Sequence, residues 1–321
     1  MAFDDILAQE TAVQTLRRAL DSGRVHHAYR FEGPAGVGKE MAAFALAEAL
    51  VCGQRDDSPQ CAACRHRVRT LSENAPHVPL HPDVILVQRG LYAEQLGKAE
   101  ANGIGIEQIR RIVLARAPYP PHEGLAQVFI MREADEITVQ AANALLKTLE
   151  EPPAQTYFVL LTSRPRRMLD TVLSRTLPVR FASLPDEVIA HILTQQGLST
   201  SVVPLAQGSA SRALGLADEE TLLRHDQFVE KALQCLDAPS LAGAIGLLDT
   251  KTNDRRAVRD QLEYLAHAFA AQSRAAVDQN PQAAERAARR HHTVLSTMQR
   301  LERNVQPALA LEAMMVRLRR E

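Results

Sequence analysis

Residues 33–40 read GPAGVGKE, and the first seven letters have the composition of a loop that grips phosphate. Gly33, Gly36 and Gly38 would let backbone N–H groups curl round an anion, and Lys39 would reach the terminal phosphates of ATP or ADP. A helix beginning there would turn the positive end of its dipole toward them. The eighth letter departs from the pattern. A nucleoside triphosphatase places Ser or Thr after this Lys, because the hydroxyl ligates Mg²⁺, whereas this chain has Glu40. The second metal anchor is an Asp at the end of another strand. The candidate strand, VFIM at 128–131, is followed by Arg132 and Glu133. A cation at that point repels Mg²⁺. Asp135 and Glu136 are the alternative carboxylates, but they lie further on, in the turn to the next helix. Together Glu40 and Arg132 predict that hydrolysis at this loop is absent or very weak. They leave ATP or ADP binding open.

Cys52, Cys61 and Cys64, within CGQRDDSPQCAACRHR (52–67), could do a second kind of chemistry. A C-x₂-C pair is half of a tetrahedral zinc site, and an upstream Cys can supply a third thiolate. His66 is the candidate fourth ligand, with His77 and His81 as alternatives. The competing reading is a set of reduced, metal-free thiols. Zinc here would be structural, pinning an insertion. Cys235 reads as a core residue.

The elements that must position these residues follow from hydrophobic periodicity. AYRFEG (28–33) is a short strand that runs into the glycine loop, and KEMAAFALAEALVC after it is helical. DVILV (83–87), AQVFIM (126–131), TYFVLLTS (156–163) and PVRF (178–181) are further strands. Residues 52–80 read as irregular. GIEQIRRIVLARA (105–117) reads as a helix, as does TVQAANALLKTLEE, which stops before Pro152 and Pro153. Strands alternating with helices predict a parallel sheet covered on both faces. Beyond Phe181 the strand signals end. The expected organisation is an α/β P-loop domain at 1–183 carrying the Cys-rich insertion (about 52–67), a small helical domain at 184–224, and an all-helical C-terminal domain at 225–321.

The bulk composition narrows the function. The 321 residues carry a formal net charge of -1, which argues against a body that grips nucleic acid over its whole surface. There is no Trp, with 5 Tyr and 8 Phe, so a base-stacking platform is poorly supplied. No run approaches the roughly 18 apolar residues of a membrane span. The start, MAFDDILAQE, lacks the layout of a signal peptide. The cytoplasm is the expected compartment, and four cysteines there do not suggest a disulfide framework.

READEITVQAANALLKTLEEPP (132–153) resembles the signature of bacterial DNA polymerase III clamp-loader subunits, the gamma/tau and delta prime kinds of the AAA+ superfamily. HHAYRFEGPAGVGK (26–39), LLTSRPRRMLDTVLSRT (160–176), GSASRAL (208–214) and NVQPALALEAMMVRL (304–318) resemble further blocks of the same subunits, in the same order. The resemblance implies an AAA+ fold with a lid and a collar that makes ring contacts. It implies that Arg175 is an arginine finger reaching into a neighbouring subunit's ATP. Thr162 or Ser163 falls in the sensor 1 region, and Arg212 at the nucleotide-contacting sensor 2 position. Thr176 departs from the usual Cys. The zinc module of these subunits has a fourth Cys three residues after the third, where this chain has Arg67. Glu40, Arg132 and a chain ending soon after the collar favour the delta prime kind, a stator without ATPase activity of its own. Such a subunit is a non-catalytic part of a DNA-directed DNA polymerase holoenzyme. Its partners in a hetero-oligomer would be gamma/tau ATPase subunits and the delta subunit, and through them the sliding clamp and primed DNA. No membrane contact is implied. The alternative is an autonomous ATPase of the superfamily, a gamma/tau-type motor or a helicase loader. Direct DNA binding through Arg164, Arg166 and Arg167 has weaker support.

Overall fold

The computed structural model describes residues 3–52, 59–97, 103–237, 255–301 and 305–321. Part of the Cys-rich stretch (53–58) and parts of the expected collar (238–254 and 302–304) lie outside the described residues. The chain divides into two compact units. One holds residues 1–192 with 207–212, and the other holds 193–206 with 213–321.

The first unit is built on a five-stranded sheet of β1 (Ala28–Glu32), β2 (Val84–Val87), β3 (Gln127–Met131), β4 (Thr156–Thr162) and β5 (Leu177–Arg180). The strand order is β2-β3-β4-β1-β5, and every pairing is parallel. Parallel strands need crossovers, and the covering helices bury both sheet faces. This is why VILV and QVFIM are buried at every position. α1 (Glu10–Asp21) precedes β1, and the crossover elements include α2 (Lys39–Val51), α3 (Pro59–Arg69), the short turns α4 (Ala93–Leu96) and α5 (Ile106–Gln108), α6 (Val139–Glu150) and α7 (Asp170–Leu173). A π-helical turn, Ile109–Leu114, continues α5. In α6, Ala141, Ala142, Leu145 and Leu149 recur at helical spacing and pack against a core that includes Phe129 and Phe158. Those two rings stack with centroids 5.2 Å apart.

The helix α3 corrects the irregular reading of 52–80. Pro59 occupies its first position, where a missing N–H costs nothing. Cys61 and Val68 are buried two helical turns apart. Few apolar letters mark this helix, so its periodicity is hard to see in the sequence. The chain continues through α8 (Asp186–Gln195), α9 (Val203–Ala206) and α10 (Ala210–Leu216). The rest of the second unit contains α11 (Glu219–Asp237), α12 (Arg255–Ala276), α13 (Pro281–Leu301) and α14 (Pro307–Leu318). Their core contains Phe228, Leu262, Leu265, Phe269, Val294 and Met314, with Cys235 packed against it. Among the described residues no helix is long and apolar enough to cross a membrane. Phe129→Ala would open a cavity between the sheet and its covering helices. It is expected to cost the first unit roughly 3–5 kcal/mol, read as a lowered urea midpoint.

Candidate functional site

The glycine loop joins β1 to α2 at the carboxyl edge of the sheet, where ligands of open parallel sheets bind. Gly36 and Gly38 have φ of 72° and 99°, in the region that disfavours side chains. The loop is also tightly covered. A Cβ on Gly36 would lie 2.1 Å from Ser211 Oγ, and one on Gly33 would lie 2.3 Å from the Phe181 carbonyl oxygen. Ala210 N donates to Gly36 O at 2.9 Å, which brings the start of α10, and the backbone of Arg212 within it, to the loop. Arg212 N in turn donates to Ser209 Oγ. Lys39 opens α2 and is buried, 8% exposed. Its Nζ donates to Gly33 O at 2.5 Å and to Pro34 O, and lies 3.3 Å from Ser163 Oγ. Burial pulls its pKa down from 10.5 to about 8, with Asp135 pulling the other way. The structure thus gathers Gly33, Gly36, Gly38, Lys39 and Ser163, and packs the segment of Arg212 against them.

The two positions that should hold metal ligands hold each other. Arg132 immediately follows β3, and its Nη2 makes a short ion pair with Glu40 Oε1. Its Nη1 donates to Gln88 Oε1 at 2.8 Å. Gln88 stands just after β2, and nothing in its local sequence signals this role. The alternative carboxylate is also engaged. Asp135 accepts from Thr162 Oγ1 at 2.7 Å and from Arg164 Nε at 2.8 Å, with a side chain only 3% exposed. Glu136 lies 3.5 Å from Arg164 Nη2 and 3.7 Å from Arg89. A fixed guanidinium beside the loop, with the nearby carboxylates already paired, does not fit Mg²⁺.

Arg175 lies between α7 and β5. Strands β1 and β5 run parallel, with Tyr29 opposite Leu177 and Glu32 opposite Arg180. The glycine loop leaves the carboxyl end of this pair, and Arg175 precedes its amino end. The shared run alone is about 10 Å long, so Arg175 stands at the opposite end of the pair from its own loop. Its Nε donates to Glu150 Oε1 at 2.7 Å, and its Nη1 donates to Thr171 O at 2.9 Å and Ser174 Oγ at 3.1 Å. Glu150, the last residue of α6, was missed by the sequence reading. Thr176 is buried, accepts from Arg30 Nη1 at 2.6 Å and donates to Val172 O at 2.9 Å. Its hydroxyl therefore braces the turn beneath Arg175. A cleft of about 640 Å³, lined in part by His26, His27, Tyr29, Pro153 and Leu177, opens at this amino edge and not at the loop.

Three of the four expected zinc ligands come together. Cys52 Sγ and Cys61 Sγ are 3.0 Å apart, and the Cys64 thiol hydrogen-bonds with Cys52. His66 does not join them. On a helix it stands about 140° from Cys61 and about 160° from Cys64, and its Nε2 lies 3.5 Å from Thr70 Oγ1. His77 bonds to the Ser72 carbonyl, and His81 is buried beside Asp83. Arg67, three residues after Cys64, pairs with Glu123 at 2.5 Å. Burial raises the Cys64 thiol pKa. Among the described residues no group of three or more His, Cys, Asp or Glu is set to hold a metal. These residues do not fit a closed four-ligand zinc site.

The fold and loop define an α/β protein with a parallel sheet and a P-loop-like glycine turn, beside which Arg132 and Glu40 form an ion pair. Residues 8–185 match the family described as DNA polymerase III, delta subunit, and the chain belongs to that family. The delta' subunit of Bacillus subtilis is 34% identical over 69% of this chain and 61% of its own length. The gamma/tau subunit of Mycobacterium tuberculosis is 33% identical over 82% of this chain and 48% of its own length. The chain thus spans about half the length of that mycobacterial relative. A crystal structure of a DNA polymerase III gamma subunit-related protein from Thermotoga maritima superposes with a TM-score of 0.54 at 18% identity. It covers 96% of this chain and 99% of that one, and supports the fold.

Two outcomes are expected from this geometry. Between pH 8 and 10.5 the unfolded chain holds a Lys39 proton that the folded loop releases, so stability should rise with pH across that window. Denaturant midpoints should show the wild type gaining on Lys39→Met as pH climbs. For the thiols, Arg67→Cys supplies a fourth sulfur beside Cys64. Elemental analysis after dialysis against a chelator should find more zinc retained per chain in this variant than in the wild type.

Proposed function

We propose that this chain is a clamp-loader subunit of DNA polymerase III of the delta prime kind. It acts as a stator that lends Arg175 to the ATP site of a neighbouring gamma/tau-type subunit. It would work in a hetero-oligomer with those subunits and a delta subunit, and through them on a sliding clamp and primed DNA. Family membership supports the setting. The observation that carries the reading is the separation within one sheet. Arg175 sits at the amino edge, away from its own loop, while that loop's metal position is filled by Arg132 and Glu40. A guanidinium that cannot reach its own phosphates is useful only in trans, where it offsets charge on the transferring phosphoryl group. Glu150 holds the guanidinium in the meantime, and a neighbour's phosphate would displace it.

The second reading is an autonomous ATPase, for which the retained glycine loop and Lys39 speak. Turnover assays separate the two. The isolated chain is expected to hydrolyse no ATP. In a complex reassembled with gamma/tau and delta subunits, Arg175→Ala should lower turnover at the adjacent site by roughly 10³-fold or more. Glu150→Gln, which removes the counter-ion in cis, should raise that turnover at subsaturating ATP. Hydrolysis by the isolated chain that disappears in Lys39→Ala would establish the enzyme reading instead.

A further inference from the structure

Arg30 stands in the middle of β1, a position where a charge is unexpected, and is only 7% exposed. Successive side chains of a strand alternate faces, so Ala28, Arg30 and Glu32 share one face. Ala28 belongs to the core that holds Phe129 and Leu145, and an apolar side chain would suit position 30 as well. A buried charge is costly unless it is paired. Arg30 is paired, because its Nε donates to Glu32 Oε1 at 2.5 Å. Replacing such a buried pair by apolar residues is often neutral or stabilising, so stability does not account for the guanidinium.

Its other contacts do. Arg30 Nη1 donates to Thr176 Oγ1 at 2.6 Å and to Leu173 O at 3.0 Å. These two acceptors flank Arg175 along the chain. Thr176 Oγ1 in turn donates to Val172 O at 2.9 Å, and Arg175 N donates to the same carbonyl at 3.2 Å. The turn that carries Arg175 is thus tied to β1, while the Arg175 guanidinium itself lies outside, on Glu150. With the backbone held, moving the guanidinium from Glu150 to a phosphate changes only side-chain torsions. Thr176 also stands where the resemblance implies Cys. A hydroxyl accepts well from a guanidinium and a thiol sulfur accepts weakly, so the Thr and the buried Arg suit each other. We propose that Arg30 is a positioning residue for the Arg175 guanidinium, acting through Thr176 Oγ1 and the Leu173 carbonyl, an assignment that rests on the trans reading of Arg175 above.

Steady-state ATP turnover by the complex reassembled with gamma/tau and delta subunits tests this, on preparations that co-elute intact. Thr176→Val keeps the shape and removes the hydroxyl, whereas Thr176→Ser keeps the hydroxyl and removes the methyl. Thr176→Val should lower kcat roughly 10- to 100-fold, the scale of a small misplacement of a reacting group, and Thr176→Ser should retain most of it. The KM for ATP should stay within about twofold, because the finger acts on the transferring phosphoryl group. Arg30→Met should match Thr176→Val, and the double variant should be no worse than either single one, since both break one link. In an Arg175→Ala background neither change should lower kcat further. An unchanged kcat in Thr176→Val, a loss in Thr176→Ser as large as in Thr176→Val, additive losses in the double variant, or a further loss in the Arg175→Ala background would each overturn the proposal. The Thr176 comparison decides the matter even where Arg30→Met does not fold. If Arg175→Ala lowers turnover and Thr176→Val does not, the positioning role alone fails. If Arg175→Ala leaves turnover unchanged, the trans reading fails and the positioning role with it.

Discussion

The contact on which the rest depends joins Glu40, in the first turn of α2, to Arg132, at the end of β3. The Glu40 and Arg132 side chains are 44% and 22% exposed, so as a source of stability the pair contributes at most about 1 kcal/mol. Its importance is positional. Each residue alone would spoil a metal-assisted phosphate site, Glu40 by repelling the phosphates and Arg132 by repelling the divalent cation. Together their formal charges cancel, and they occupy the two positions where the metal ligands are expected. Gln88, from the neighbouring strand, fixes the guanidinium further.

A parallel sheet has a direction, and this chain uses it to keep two cations apart. Lys39 belongs to the carboxyl edge and Arg175 to the amino edge. The amino edge is also where Glu150 ends its helix and where Thr176 braces the turn under Arg175. An exposed arginine on a loop would have little positional definition. Tied to Glu150, the Thr171 carbonyl and Ser174 Oγ, it has a defined resting place.

The Cys-rich segment follows a different logic. Three thiols gather, but the next corner is occupied by Arg67, whose partner Glu123 lies far along the chain. An ion pair therefore stands here too where a metal ligand is expected. Surface ion pairs of this exposure stabilise little. The packing of Cys61 and Val68 against the rest of the unit contributes more to holding α3 in place.

The sequence by itself determined the sheet, because buried parallel strands and amphipathic helices write their periods locally. VILV, QVFIM and the apolar face of α6 could be read without any partner. It also determined that Glu40 and Arg132 break the metal pattern, since that depends on residue type at fixed spacing. What only tertiary structure decided is who meets whom. That Arg132 closes on Glu40, that Asp135 is held by Thr162 and Arg164, and that Glu150 restrains Arg175 all depend on side chains from separate elements converging. His66 was placed among the thiols by adjacency and removed from them by helical rotation. In each case the physical reason is the same: periodicity is encoded residue by residue, whereas a salt bridge is encoded only in the distance between two chain segments that the fold brings together.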